Sequence, residues 1–195
     1  MKNILSKIIQ NPTLHGKWLN TLSYLENCGA RKIAATEHPL LVEEEKLKHA
    51  AEEFRHAHYL KEQIPKVASL PFPNYALPSL LGSWKTKHYL DRLEVEISRI
   101  LKQHAYVFVT YAIEKRAEKL YPLYHILLQA ASSPVRVKSI LLEEEEHLAE
   151  MEREIEKISC GEELKKRALQ IEEKLFQNWK EALWKSLGET HLALS

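Results

Sequence analysis

A proline-rich segment in the middle of the chain constrains the fold more than any other feature. Residues 65–82, PKVASLPFPNYALPSLLG, contain four prolines and cannot form a continuous helix. The segment is also too apolar for a free linker, so we expect a crossover that packs along its neighbours. The flanking sequence is poor in glycine and rich in Leu, Glu, Lys and Ala, which favours helices. The 195 residues are therefore expected to form a single all-α domain, residues 1–195.

Five helices are predicted, in the order hairpin, crossover, hairpin and additional helix. Asn11 and Pro12 form a capping signal at the start of the first helix, and Gly161 separates the last two. Pro122 is expected to kink or end the third helix. No stretch alternates between apolar and polar residues as a β-strand does. The predicted helices span about residues 12–36, 41–64, 84–120, 134–159 and 162–187.

Charge and cysteine content argue against several classes of protein. Lys and Arg number 28 against 27 Asp and Glu, which disfavours nucleic acid or an anionic membrane as the main partner. Cys28 and Cys160 are too few for a disulfide scaffold, so a reducing compartment is expected. The sequence contains neither a recognisable secretory signal nor an apolar run long enough to span a membrane. We therefore expect a cytoplasmic protein without a membrane span.

Two Glu-x-x-His motifs are the strongest functional signal. They are Glu53-x-x-His56, within EEFRH, and Glu144-x-x-His147, within EEEEH. Chance predicts about one such motif in a chain with 27 acidic residues and 10 histidines, so the number alone means little. Both motifs, however, lie on the second helix of a predicted hairpin. Residues three apart share a helix face about 5–6 Å apart, so each Glu and His pair can reach one ion.

Each motif also faces a glutamate on the preceding helix. Glu26 lies as far before the turn near residue 39 as Glu53 lies after it. Glu114 and Glu118 both lie opposite Glu144 across the turn near residue 131. Glu114 is the preferred candidate, and Glu118 is the alternative.

The four candidate carboxylates interrupt apolar helix faces. Leu22 and Ile33 share the side of Glu26, and Leu148 and Met151 share the side of Glu144. An unpaired charge on such a face would cost several kcal/mol. Four carboxylates and two divalent cations would together be neutral. Oxygen and imidazole ligands suit iron or manganese, and the lack of clustered cysteines argues against structural zinc.

This arrangement resembles the ligand pattern of ferritin-like di-iron carboxylate proteins, over about residues 12–159. The resemblance implies a four-helix bundle with a long crossover between its second and third helices, plus an additional C-terminal helix. It also implies two iron ions, as Fe/Fe or Mn/Fe, with Glu53 and Glu144 bridging them. The implied metal ligands are Glu26, Glu53, His56, Glu114, Glu144 and His147.

The sequence around the motifs resembles the oxygenase and oxidase branch of that superfamily. In EEFRH, an acidic residue precedes the motif glutamate and an arginine precedes the histidine; EEEEH lacks the arginine. The resemblance implies that Glu52, Arg55 and Glu143 orient the histidines, and Tyr111 is placed in the same outer shell. His49 is interpreted as an outer-shell or surface residue rather than a ligand.

Three functions are consistent with this pattern. The favoured one is an oxidoreductase that activates O2, takes electrons from an external donor and oxidises a small or apolar organic substrate. The alternatives are an iron-handling ferroxidase or peroxide-scavenging protein and, third, a metal-free helical scaffold. The additional amphipathic helix is compatible with a homodimer. The sequence contains no signature of a particular substrate.

Overall fold

The computed structural model describes residues 1–101 and 104–189, and all the regular elements in these ranges are helical. The predicted all-α class is confirmed. None of the helices in the described ranges has both the length and the apolar character needed to cross a membrane. The helices are α1 (Lys2–Gln10), α2 (Pro12–Ala35), α3 (Glu44–Gln63), α4 (Ser83–Lys87), α5 (Tyr89–Leu101), α6 (Ala105–Ala130), α7 (Lys138–Glu156) and α8 (Gly161–Glu189).

The start of α2 follows directly from its capping sequence. The Asn11 side chain accepts a hydrogen bond of 3.0 Å from the backbone N–H of Leu14, and Pro12 occupies the first turn. Helices α3, α7 and α8 also lie within a few residues of their predicted bounds. The capping and periodicity signals therefore located four of the five predicted helices.

The predicted third helix was wrong in two respects. Residues 84–120 are not one helix, because α4, α5 and the first part of α6 share this range. The helix end predicted near Pro122 is also wrong, since α6 continues to Ala130. A proline inside a helix costs about 3 kcal/mol. Burial of Tyr121, Tyr124 and Leu128 on the same helix offsets that cost.

Helix α1 was not predicted, although a short apolar stripe signals it. Ile4, Leu5 and Ile8 are buried, and α1 packs against α2, α6 and α8. A helix of nine residues is not stable alone in water. Its formation therefore depends on the apolar surface that the other three helices provide.

Two helical hairpins bring the candidate residues together. Helix α2 packs against α3, α6 packs against α7, and α3 also contacts α7. The segment 65–82 lies against α2, where the Asn20 side chain donates hydrogen bonds to the carbonyls of Asn74 and Ser79 at 3.1 and 2.9 Å. Helix α8 packs against α5 and α6.

A buried aromatic cluster joins α8 to the rest of the fold. The Trp179 ring stacks on Trp18 and Tyr89, with centroid separations of 6.0 and 5.4 Å. Its indole N–H donates to the Thr86 hydroxyl at 2.8 Å, so the polar atom is satisfied although the side chain is buried. This one side chain therefore connects α8 with α2, α4 and α5.

We expect Trp179→Ala to lower the free energy of unfolding by about 3–5 kcal/mol, because it removes a fully buried ring and leaves a cavity. Trp184→Ala, five residues further along α8, is the matched control. Its ring is 49% exposed, so we expect a change below about 1 kcal/mol. Urea unfolding followed by circular dichroism measures both values, and equal effects would contradict this account of the core.

Candidate metal centre

Seven ionisable side chains converge between the two hairpins and form two overlapping groups. Within each group, one potential ligand atom per residue lies within 4.8 Å of every other. All seven residues are buried except Glu26, which is half-buried. Group A contains Glu26, Glu53, His56 and Glu144, and group B contains His49, Glu53, Glu114 and His147.

The six predicted ligands are all present in these groups. Glu53 belongs to both groups, so its carboxylate lies between the two candidate ion positions. The alternative ligand Glu118 belongs to neither group. It is partly exposed, and it pairs with Lys115 at 2.7 Å. Between the two candidates on α6, the geometry therefore favours Glu114.

His49 was interpreted as an outer-shell or surface residue, and the surface position is wrong. It is 2% exposed, and its Nε2 atom lies 3.3 Å from Glu114 Oε1 and 3.6 Å from Glu53 Oε1. Its ring also lies 3.9 Å from the His147 ring, centroid to centroid. The signal was available, because positions 49, 53 and 56 follow the i, i+4, i+7 spacing of one helix face.

Buried polar atoms without hydrogen-bond partners are concentrated in this cluster. Buried polar atoms normally have hydrogen-bond partners, and each exception costs about 1–3 kcal/mol. Six residues of the cluster each present a buried atom without a hydrogen-bond partner, and a pair of cations would satisfy all of them. These atoms are His49 Nε2, Glu53 Oε1, His56 Nδ1, Glu114 Oε2, Glu144 Oε1 and His147 Nδ1.

Two carboxylates orient the motif histidines in a reciprocal arrangement. Glu143 Oε2 lies 2.8 Å from His56 Nε2, and Glu52 Oε2 lies 2.8 Å from His147 Nε2. Each carboxylate thus comes from the opposite hairpin. When Nε2–H donates to the carboxylate, the lone pair of Nδ1 is available to a metal ion in the cluster. Glu52 and Glu143 occupy the outer-shell positions that the resemblance implied.

Two positively charged side chains, Arg55 and Lys48, lie close to these outer carboxylates. Arg55 pairs with Glu143 and also lies 3.9 Å from Glu52. In the second motif Glu146 occupies the position that corresponds to Arg55. Lys48 Nζ lies 3.6 Å from Glu146 and 3.9 Å from Glu52, so a lysine from α3 provides the positive charge there.

Tyr121, rather than Tyr111, contacts the cluster. The Tyr121 hydroxyl donates a hydrogen bond to Glu26. Tyr111 is buried, but its described partner is Lys165, whose Nζ lies 5.1 Å from the ring centroid. None of the described contacts of Tyr111 involves a candidate ligand, so its predicted outer-shell role finds no support.

Burial and mutual repulsion perturb the acidic groups of the cluster. Burial, followed by the charges of neighbouring carboxylates, raises the pKa of Glu53 and of Glu114 well above the ordinary value. Burial also raises the pKa of Glu144, but its close contacts with Glu114 and His56 outweigh burial and hold that pKa at about 2. When no cation is bound, burial and the neighbouring charges therefore favour the protonated forms of Glu53 and Glu114.

The pKa values of His49 and His56 shift in opposite directions. Burial, reinforced by the charge of His147, lowers the pKa of His49 to about 3. Burial also lowers the pKa of His56, but contacts with Glu144, Glu26 and Glu143 raise it overall to about 9. Cation binding near neutral pH would therefore displace a proton from His56, whereas His49 is already neutral.

Comparison of the chain with models of protein families, with curated proteins and with solved structures gave no match. Function therefore has to be argued from the chemistry of this cluster.

In the metal-free protein, we expect Glu114→Gln to increase stability, and to increase it more at about pH 8 than at about pH 5. Because the folded-state pKa of Glu114 is raised above 4.5, its protonated form stabilises the fold fully below that pH. This contribution is lost as the pH rises through the raised pKa, by up to about 1.4 kcal/mol per pH unit. Glutamine remains neutral and avoids the loss.

Urea unfolding in the presence of a chelator measures this difference at the two pH values. Glu118→Gln is the matched control, because Glu118 is one turn away on the same helix but partly exposed and paired with Lys115. A Glu114→Gln effect that does not change with pH would contradict the assigned burial of the carboxyl charge.

We expect Glu143→Gln to weaken divalent metal binding about 10–100-fold, because it removes the charge that orients and polarises His56. The neighbouring Glu145 is exposed and contacts no candidate ligand, so Glu145→Gln should leave the affinity unchanged. Competition with a chromophoric chelator for Mn(II) measures both variants. Equal affinities in the two variants would exclude an orienting role for Glu143.

Proposed function

We propose that the protein is a dinuclear metal oxidoreductase that binds two iron ions and uses O2 to oxidise a small or apolar organic molecule. The observation that carries the proposal is the set of six unsatisfied buried atoms that converge between the hairpins. In a metal-free scaffold, only protons shared between neighbouring groups, such as His56 Nδ1 and Glu144 Oε1 at 3.2 Å, would offset this cost. The reciprocal carboxylate–histidine pairs further support a metal centre.

The proposed fold is a ferritin-like four-helix bundle made of α2, α3, α6 and α7, with α8 as the additional helix. The contacts within the two hairpins and between α3 and α7 support this arrangement. Residues 64–101, which include α4 and α5, would form the crossover. The proposed membership of the ferritin-like di-iron superfamily depends on the ligand pattern alone.

Each ligand has a proposed role in holding the ions. Glu53 would bridge them, because it belongs to both groups, and Glu144 would be the second bridge, because it contacts both His56 and Glu114. Glu26 would bind the first ion and Glu114 the second. His49 would add a third imidazole nitrogen, at the second position only. The two ion positions would therefore differ, with one imidazole nitrogen at the first position and two at the second.

A bound iron pair supplies the one-electron steps by which O2 reacts with organic molecules. The protein's part is to fix the ligands and to exclude water. Leu22, Leu25 and Leu120 line the cavity beside the carboxylates and provide an apolar wall. Tyr121 fixes the Glu26 carboxylate through its hydroxyl. This enclosure favours controlled oxidation of a bound molecule over bulk iron handling, which remains the alternative.

We also propose a reducing, cytoplasmic setting and an external electron donor. Cys28 and Cys160 are both free thiols, and Cys160 is exposed. An exposed thiol is typical of a reducing compartment. The donor is part of the proposal because oxidised iron ions must regain electrons between turnovers.

We expect the purified protein, loaded anaerobically with Fe(II), to contain about two metal ions per chain. The Glu53→Ala/Glu144→Ala double variant should contain none, because it removes both bridging carboxylates. Glu118→Ala should retain the full content, since Glu118 belongs to neither group. Elemental analysis provides the metal content, and oxygen consumption by the loaded protein then tests the redox role. Absence of stoichiometric metal from the wild-type chain would refute the proposal.

A further inference from the structure

A cavity of about 220 Å³ extends from the candidate metal centre toward the surface between α2, α5 and α6. At its inner end it reaches Glu53 and Glu114, two ligands of group B, and at its outer end it reaches Lys32 and Glu94. It contacts neither Glu26, His56 nor Glu144. A molecule in this cavity would therefore approach the centre from the side of group B.

The other cavities do not offer an equivalent site. A second cavity beside the carboxylates has a volume of only about 70 Å³, which is room for a few water-sized molecules. The depression between α1 and α8 is larger, about 520 Å³, but none of the candidate ligands lines it. Among the cavities found in the described ranges, the cavity of about 220 Å³ alone combines contact with the centre and room for an organic molecule.

The size of the cavity restricts the class of molecule. An apolar cavity of about 150 Å³ accommodates benzene, whereas pockets for drug-sized ligands measure about 300–1,000 Å³. The volume here therefore fits a single ring with a small substituent. The middle of the cavity is formed by the apolar side chains of Ile33, Val109 and Ile113.

The charges around the cavity disfavour an anion. Glu53 and Glu114 at the inner end provide no positive charge that would attract an anion. At the outer end, Lys32 is already paired with Asp91 at 2.7 Å and with Glu94 at 2.6 Å. An anionic ligand would have to displace one of these carboxylates. Tyr106 and Thr110 are among the lining residues, and a hydroxyl group can hydrogen-bond to one uncharged polar substituent.

We propose that this cavity is the substrate site of the proposed oxidoreductase and that its substrate is a neutral, single-ring aromatic molecule with a small polar substituent. The inference rests on the proposed function, because the cavity has a catalytic meaning only if ions occupy the centre. The apolar walls hold the ring, and the hydroxyl groups of Tyr106 and Thr110 select its orientation.

Binding of two matched probes tests the proposal. Benzyl alcohol and benzoate share a ring but differ in charge, and ligand-observed NMR titration measures their affinities for the purified protein. We expect benzyl alcohol to bind about tenfold or more tightly than benzoate. In the Mn(II)-loaded protein, the bound ion should also enhance the relaxation of the benzyl alcohol ring protons, which reports proximity to the centre.

Two variants that fill the cavity from opposite walls locate the binding site. Val109→Phe, on α6, and Ser98→Leu, on α5, should each weaken benzyl alcohol binding about tenfold or more while circular dichroism and metal content stay unchanged. Ile126→Phe is the control, because Ile126 lies on α6 but is 60% exposed. Either filling variant can fail to fold, so the two are used independently.

The outcomes separate this inference from the proposed function. A protein that takes up two metal ions but does not bind benzyl alcohol, or binds benzoate equally well, overturns the substrate assignment alone. If the filling variants fold and neither of them weakens the binding of benzyl alcohol, the assigned location of the binding site is wrong. Binding of benzyl alcohol by a protein that takes up no metal overturns both the proposed function and the substrate role.

Discussion

The fold depends on how a cluster of buried carboxylates is neutralised. Four glutamates converge in the interior, where an uncompensated charge is far more costly than in water. Protons can neutralise them, as the raised pKa values of Glu53 and Glu114 indicate. Two divalent cations would do so more completely, since they would also satisfy the unpaired atoms of the histidines. The position of the two hairpins relative to each other is therefore linked to what occupies the cluster.

Hydrogen bonds between the outer carboxylates and the motif histidines also connect the two hairpins. Glu52 and His147 pair across the hairpins in one direction, and Glu143 and His56 pair in the other. These hydrogen bonds join α3 to α7, whose other contacts are few. Arg55 pairs with Glu143 and Lys48 lies close to Glu52, on the outer side of the cluster, and the inner carboxylates face the cluster. A change in one histidine therefore affects both the centre and the helix pairing.

The two sides of the cluster are not equivalent, although their motifs are. Group B contains two histidines, His49 and His147, whereas group A contains only His56. The cavity of about 220 Å³ also ends at Glu53 and Glu114, two carboxylates of group B. Group A instead has Glu26, which Tyr121 fixes by a hydrogen bond. A molecule arriving through this cavity would therefore meet the group B position first. Nearly symmetric sequence motifs thus give two sides with different surroundings.

Local sequence was sufficient to predict the features that depend on helical periodicity. The three-residue spacing of Glu53 and His56, the apolar stripes and the Asn11 cap are properties of neighbouring residues, so they indicated the all-α class and the Glu-x-x-His pairs. Glu26 and Glu114 were predicted from the hairpin register and from the resemblance to a known ligand pattern. The packing of the helices, by contrast, determined where α6 ends, that His49 is buried and that Lys48 serves the second motif. It also determined which tyrosine contacts the cluster. These features depend on the rotation and separation of helices that are distant in sequence, which is set by how their side chains pack together.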